Sequence, residues 1–278
     1  VDQENYQWTW EQRKLLKELV KIIPSFIMKS KADAVSQAKT DFLSRMSHEI
    51  RTPMNAISGM TIIAKSVLDD REKALDCLEK IESANTYLLG LINDILDMSR
   101  IESGKMELSY ESIDLEQQLS NLESLFRAQA EEKHLELTFE NDYRKKRPLR
   151  ADSLRLNQIL VNIIGNAIKF TELGSVAVRV KVLEEEPRAL IRFSVTDTGI
   201  GIEPAAMRRI FNAFEQADAL TASRHGGTGL GLSISSRLVQ MMGGTLEVRS
   251  EPGTGSEFFF TLSLEYACED AEEIPVQE

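Results

Sequence analysis

His48 is the first residue whose chemistry stands out, because an exposed imidazole can act as a nucleophile. In the heptad that puts Leu43 at a seam position, His48 falls farthest from the seam, so we expect it to be exposed. Glu49 follows directly and can accept the Nδ1 proton, which leaves Nε2 as the nucleophile. Thr52 lies four residues on, on the same helix face. The alternative is an ordinary surface histidine.

Asn162, Asn166 and Lys169 form a second set of side chains at helical spacing. They share one face of a helix predicted over residues 153–170. An amide oxygen is a hard, neutral ligand that suits Mg²⁺, and a nearby lysine neutralises phosphate charge. The alternative is that the asparagines only face solvent.

Asp197 ends a predicted strand and leads into Thr198-Gly199-Ile200-Gly201. Its carboxylate can accept a hydrogen bond from the adenine amino group, a contact that selects adenine over guanine. Gly199 and Gly201 allow close approach of the backbone. The alternative is an ordinary turn at the end of a strand.

A glycine-rich loop precedes the last predicted helix and reads Gly226-Gly227-Thr228-Gly229-Leu230-Gly231. Backbone N–H groups at a helix start bind phosphate, and such a loop can close over a nucleotide as a lid. Its spacing is not that of the dinucleotide fingerprint, and no Lys-Ser or Lys-Thr follows as in a P-loop. Upstream, the aromatic patch Ile210–Phe214 is either core or a brace for a mobile loop.

Two helical patterns position His48. Apolar residues recur at steps of three and four in both: Leu43, Met46, Ile50, Pro53, Ile57, Met60 and Ala64, then Ile81, Ala84, Leu88, Leu91, Ile95 and Met98. The polar run Asp69–Lys73 predicts a turn between them. A hairpin with one apolar stripe on each helix cannot cover both stripes, so we expect two hairpins to pair into a homodimeric four-helix bundle. The alternative is that the stripes pack against the rest of the chain.

Pro53 lies inside the first of these patterns. Proline has no N–H to donate and clashes with the carbonyl of Glu49, at a cost of roughly 3 kcal/mol in a helix interior. A bend beside a reactive residue favours motion there. The alternative is that the helix ends at this residue.

The remainder of the chain mixes strand and helix patterns, which favours an α+β sandwich. Strands are predicted at Lys105–Leu108, Leu135–Glu140, Ser175–Leu183, Ala189–Thr196, Leu246–Ser250 and Glu257–Leu264, and further helices at 204–212 and 231–242. The predicted domains are a helical linker (1–38), the hairpin (39–103), a nucleotide-binding domain (104–266) and an acidic, disordered tail (267–278).

Composition limits the partners. A net charge of −11 argues against nucleic acid. No stretch approaches the roughly 18 apolar residues of a membrane helix. Cys77 and Cys268 lack metal-ligand spacing and favour a reducing compartment, so we expect a cytoplasmic location. The chain begins at Val1, which indicates a fragment, and membrane contact is expected only through a missing upstream region.

Ser47-His48-Glu49-Ile50-Arg51-Thr52-Pro53 resembles the phosphoacceptor box of sensor histidine kinases, in the version found in hybrid kinases that often carry a fused receiver domain. The segments Asn162–Phe170, Asp197–Gly201, Ile210–Phe214 and Gly226–Gly231 resemble the N, G1, F and G2 boxes of an ATPase domain. Histidine kinases, gyrase-type enzymes and heat-shock chaperones share that domain.

The resemblance implies a helical hairpin that forms a dimeric four-helix bundle, followed by an α/β sandwich that binds ATP. It implies autophosphorylation of His48, with Glu49 as acid–base partner, and transfer to an aspartate of a response regulator receiver domain. Thr52 is implied in the reverse, phosphatase reaction on that partner.

For the nucleotide, the resemblance implies Asn166 as the main Mg²⁺ ligand with Asn162 in support, and Asp197 on adenine with Gly201 close to the ring. Lys169 and the loop glycines are implied at the phosphates, with Arg224 and His225 near the γ-phosphate. One rival interpretation is an ATPase of this fold with mechanical or chaperone work, which needs no exposed histidine beside a glutamate. The other is a degenerate scaffold that dimerises and binds a receiver, and the intact metal and adenine residues argue against it.

Overall fold

The computed structural model describes residues 46–144, 147–207, 209–212 and 229–267. The chain divides into two compact units, Val1–Leu88 and Leu89–Glu278. The predicted linker (1–38) and residues 268–278 of the predicted tail lie outside the described residues. None of the described helices is long and apolar enough to cross a membrane.

The hairpin consists of α1 (residues 46–66) and α2 (Arg71–Glu102). The turn between them lies at residues 67–70, slightly earlier than the predicted Asp69–Lys73. Asp70 explains the difference, because its Oδ1 accepts a hydrogen bond from Lys73 N at 3.2 Å and so caps the start of α2. Helix α1 continues through Pro53 to residue 66, so the alternative that the helix ends at the proline is wrong.

The two apolar patterns predicted for the hairpin helices form its seam, and this seam is largely buried. Its described residues are all buried or half-buried, and Met46, Leu91 and Met98 are at most 9% exposed. Helix α2 also carries a second apolar stripe that is exposed, so the expectation of one stripe per helix is wrong for α2. We call this the outer stripe, and it comprises Leu75, Leu78, Leu89, Ile92 and Leu96.

The end of α2 accounts for an error in the strand prediction. Lys105–Leu108 is not a strand, because the N–H groups of Lys105 and Met106 both bond to the carbonyl of Arg100 and terminate the helix. Gly104, at φ +65°, makes this reversal possible. The first strand is β1 (Glu111–Ile113), and α3 (Leu115–Glu132) follows it.

The second unit contains a seven-stranded sheet. After β1 come β2 (Glu136–Asn141), β3 (Leu149–Ala151), β4 (Ser175–Glu184), β5 (Ala189–Asp197), β6 (Glu247–Glu251) and β7 (Gly255–Tyr266). The order is β1-β3-β7-β5-β4-β2, with β6 also paired to β7. The β2–β4 pair is parallel and the others are antiparallel. Strand β1, helix α3 and strand β3 were not predicted, and the later predicted strands are confirmed within two residues at each end.

Helices α4 (Ser153–Phe170) and α6 (Gly231–Met241) contact each other, and α4 packs on β4 and β5, which gives the predicted sandwich. Asp152 caps α4, since its Oδ1 accepts from Arg155 N at 2.9 Å. The helix predicted at 204–212 is not helical throughout, because among the described residues of this range only α5 (Pro204–Met207) is helical. Ile210 is buried and the Phe211 ring meets Phe258 edge to face at 6.5 Å, which favours the core interpretation of these two residues.

Candidate functional site

His48 lies on α1 with its side chain exposed, as the heptad predicts. The hydroxyl of Thr52, one turn later, donates to the carbonyl oxygen of His48 at 3.2 Å. Because Pro53 has no N–H, the carbonyl oxygen of Glu49, the residue after His48, lacks its usual helical hydrogen-bond partner. The imidazole of His48 is therefore exposed to solvent on a helix whose described part covers residues 46–66.

Glu49 has a partner on the other helix of the hairpin that was not predicted. Its Oε2 accepts a hydrogen bond from the phenol of Tyr87 on α2, at 3.1 Å, and its role as acceptor of the Nδ1 proton of His48 stays a prediction. Tyr87 was not predicted as a site residue. A signal was present, because Glu49 lies 18 residues before the turn and Tyr87 lies 17 residues after it, so an antiparallel hairpin brings them together.

The predicted amide pair lies on one face of α4 and contacts the start of α6. Asn162 Nδ2 donates to Ser235 Oγ at 2.9 Å, and Asn166 Nδ2 donates to Asn162 Oδ1 at 3.4 Å. These bonds use the amide nitrogen of Asn166, so its hard carbonyl oxygen is the end that suits a cation. A Cβ at Gly231 would overlap Asn162 Oδ1, so a larger residue at the start of α6 would have to displace the Asn162 amide.

Two lysine side chains lie near the end of α4. Lys133 Nζ donates to the carbonyl oxygens of Ile168 and Lys169, at 2.9 and 3.0 Å. The ammonium of Lys169 lies 5.0 Å from the centre of the Phe170 ring. Burial, and secondly the charge of Lys133, lower the pKa of Lys169. An anion that approaches this end of the helix meets a concentration of positive charge.

Asp197 is a buried carboxylate at the end of β5, with 7% of its surface exposed. Its Oδ1 accepts a hydrogen bond from Gly199 N at 2.9 Å. Burial raises the pKa of Asp197, and the backbone N–H groups of Gly199 and Ser256 partly oppose the rise. A buried acceptor of this kind suits a ligand that brings its own N–H donor.

The glycines after Asp197 are required by close backbone packing. A Cβ at Gly199 would overlap the carbonyl oxygen of Phe170, and one at Gly201, where φ is +69°, would overlap that of Glu251. Two further glycines, which were not predicted as part of the site, pack against the same loop: Gly174 and Gly255. Their positive φ angles, which the sequence does not reveal, fit only glycine well.

The described part of the glycine-rich loop runs from Gly229 into α6. Leu230 is fully buried and Ser233 Oγ donates to its carbonyl at 2.8 Å, which fixes the first turn of the helix. Five of the predicted loop residues lie outside the described part: Arg224, His225, Gly226, Gly227 and Thr228.

A buried polar cluster at the start of α4 was also missed. Arg155 Nη1 and Gln158 Nε2 both donate to Asp97 Oδ2 of α2, at 2.8 and 2.9 Å. The side chains of Arg155 and Asp97 are only 15% and 12% exposed. The cluster therefore fixes the last turns of α2 to the helix that carries Asn162.

Comparisons with known proteins match two different parts of the chain. Residues 38–104 match the His Kinase A (phospho-acceptor) domain, and residues 151–266 match the histidine kinase-, DNA gyrase B- and HSP90-like ATPase family. The sensor histidine kinase GacS of Pseudomonas protegens is 43% identical over 90% of this chain and 27% of its own length. The virulence sensor protein BvgS of Bordetella bronchiseptica is 40% identical over 97% of this chain and 23% of its own.

Among solved structures, full-length ShkA in complex with AMPPNP is 38% identical, with a TM-score of 0.61 over 81% of this chain and 46% of that chain. The chain spans about a quarter of the length of GacS and of BvgS. An exposed histidine on a phosphoacceptor hairpin precedes an ATPase sandwich in one chain, and its relatives share both parts. The chain therefore belongs to the sensor histidine kinase family.

Proposed function

We propose that this chain is the core of an ATP-dependent protein histidine kinase, which phosphorylates His48 and passes the phosphoryl group to an aspartate of a response regulator receiver domain. One observation carries the proposal: an exposed histidine lies on a phosphoacceptor hairpin that an ATPase domain follows in the same chain. The chain acts as a homodimer through its hairpin, and Thr52 serves the reverse, phosphatase reaction.

The adenine half of the nucleotide lies against Asp197, which accepts a hydrogen bond from the exocyclic amine. Its burial and its position at the end of β5 support this role. Gly199 and Gly201 keep the loop backbone close to the neighbouring chain segments, with Gly201 near the ring. The AMPPNP complex of the similar ShkA, an ATP analogue bound to a related fold, supports a nucleotide in this domain.

The phosphate half lies between the end of α4 and the start of α6. Lys169 and the loop from Gly227 through Thr228, Gly229, Leu230 and Gly231 meet the phosphates, and Arg224 lies near the γ-phosphate. Asn166 Oδ1 holds Mg²⁺, and Asn162 supports it through the hydrogen bond from Asn166. When bound, Mg²⁺ neutralises charge on the phosphate oxygens.

The transfer itself needs a free ring nitrogen and an acceptor for one proton. His48 Nε2 attacks the γ-phosphorus in line, and the bond to the bridging oxygen breaks with its electron pair leaving on ADP. The imidazole then gives its Nδ1 proton to the carboxylate of Glu49, the residue beside it. The protein contributes mainly by positioning the two reactants.

Incubation with γ-labelled ATP and Mg²⁺ tests the proposal. We expect an acid-labile, base-stable label, which is the signature of phosphohistidine, and we expect His48→Gln to abolish it. The control is His134→Gln, which removes another exposed histidine, in the ATPase unit, and should keep the label. A wild-type chain without label, or a label that survives His48→Gln, would contradict the proposal.

A further inference from the structure

Tyr87 touches the residue beside the phosphoacceptor histidine, although it lies on the other helix of the hairpin. Its phenol donates to Glu49 Oε2 at 3.1 Å, and 39% of the tyrosine remains exposed. Glu49 is half-buried. We infer that Tyr87 is a positioning residue for phosphoryl transfer at His48, because it holds the carboxylate that receives the ring proton. The inference rests on the function proposed above.

The hydrogen bond reduces the freedom of a flexible side chain. An unrestrained glutamate on a helix surface samples several rotamers, and fixing one of them has an entropic cost. The Tyr87 bond selects a rotamer in the folded protein before ATP arrives. The bond is made to Oε2, and we expect Oε1 to meet the imidazole of the neighbouring residue. Hydrogen bonds to charged groups are stronger than those between neutral groups.

The phenol acts through the carboxylate and is not consumed. As the Nε2–phosphorus bond forms, the bond from phosphorus to the bridging oxygen breaks and ADP leaves with the electron pair. The ring is then cationic until its Nδ1 proton moves to Glu49, which becomes a neutral carboxylic acid and later returns the proton to water. Tyr87 keeps its own proton throughout, so its removal should slow the transfer without stopping it.

Tyr87→Phe removes only the hydroxyl. We expect the rate constant for His48 labelling at saturating MgATP to fall about tenfold, the effect of losing one hydrogen bond to a charged group. The KM for ATP should not change, because the nucleotide residues are in the other unit. In a Glu49→Gln background, Tyr87→Phe should cause no further loss, since the acceptor that it positions is already gone.

Tyr110→Phe is the matched control, because it also removes a phenol hydroxyl from an exposed tyrosine, and its labelling rate should stay at the wild-type value. A merely structural role for Tyr87 predicts equal rate losses in the wild-type chain and in the Glu49→Gln background, together with a lower melting temperature. Either that result or an unchanged rate in Tyr87→Phe would overturn the inference while wild-type labelling persists. Absence of label in the wild-type chain would instead overturn the proposed function.

Discussion

Asn162 and Asn166 have the same side chain, one helical turn apart, but their contacts differ. Both polar ends of Asn162 bond within the protein, to Ser235 and to Asn166. Asn166 donates from its amide nitrogen to Asn162, and its carbonyl oxygen is the atom that we propose as the metal ligand. Spacing alone treats the two residues as equivalent, whereas these contacts make Asn162 a support and Asn166 the metal ligand in our proposal.

Alanine substitutions should separate the two asparagines. Asn166→Ala should abolish Mg²⁺-dependent nucleotide binding with little change in the free energy of unfolding, because the side chain is only half-buried. Asn162→Ala leaves Ser235, which is 1% exposed, without its amide partner, so it should lower the free energy of unfolding by about 1–3 kcal/mol. Isothermal titration calorimetry measures nucleotide binding, and denaturant-induced unfolding measures the free energy of unfolding.

The control for both variants is Asn121→Ala, which removes an exposed helical asparagine from α3. It should change neither nucleotide binding nor stability beyond a few tenths of a kcal/mol. Full Mg²⁺-dependent binding in Asn166→Ala would remove the metal assignment from this residue.

Asp197 illustrates what a single sequence can and cannot give at the residue scale. Its place at the end of an alternating strand was predictable, and β5 ends at this residue. Its burial was not, because it depends on a segment that is distant in sequence: Gly255 packs on its carbonyl. Burial disfavours the charged form of the carboxylate. A hydrogen bond from an N–H group of a bound ligand would offset that cost.

At the scale of elements, periodicity predicted the strands and helices that bury one regular face. Helix α4 is the best case, because its predicted bounds agree with the observed Ser153–Phe170. The signals for α3 were also present, since Asp114 caps it and Leu119, Leu122 and Phe126 recur at helical steps, but they went unused. No pattern along the chain says which two helix faces meet, so the contact between Asp97 and Arg155, 58 residues apart, was beyond prediction.

That contact should contribute more to stability than the exposed ion pairs. Asp97→Ala removes one partner of a mostly buried pair and strands the guanidinium of Arg155, so we expect a loss of about 3 kcal/mol in the free energy of unfolding of the second unit. The comparison is Arg179→Ala, which breaks a pair with Glu140 whose side chains are 50% and 58% exposed. That loss should stay below about 1 kcal/mol.

Denaturant-induced unfolding, monitored by far-UV circular dichroism, measures the stability of both variants. The dependence of the unfolding free energy on denaturant concentration should be the same in the two variants and in the wild-type chain. Similar losses in the two variants would mean that the Asp97 cluster adds no more than a surface pair, and that other contacts hold the end of α2 to α4.

At the scale of the whole molecule, the outer stripe of α2 is the largest departure from what the sequence suggested. The described residues of the predicted seam are buried or half-buried in a single chain, but the large apolar side chains of the outer stripe remain 39–55% exposed. Solvent exposure of such a row is unfavourable, and full burial of each side chain is worth about 1.5–3 kcal/mol. A second copy of the hairpin, as we propose, would cover it.

Charges on this stripe should therefore dissociate the dimer. Leu78→Glu with Leu89→Glu introduces two carboxylates at side chains that are 55% and 54% exposed, so each chain should still fold. Glutamate is also a good helix former. In the dimer those carboxylates would be buried without partners, at a cost of several kcal/mol.

Light scattering after size-exclusion chromatography should give a dimer mass for the wild-type chain and a monomer mass for the variant. Leu154→Glu, at a 69% exposed leucine on α4, should stay dimeric, and a dimer mass for the double variant would mean that another surface joins the two copies.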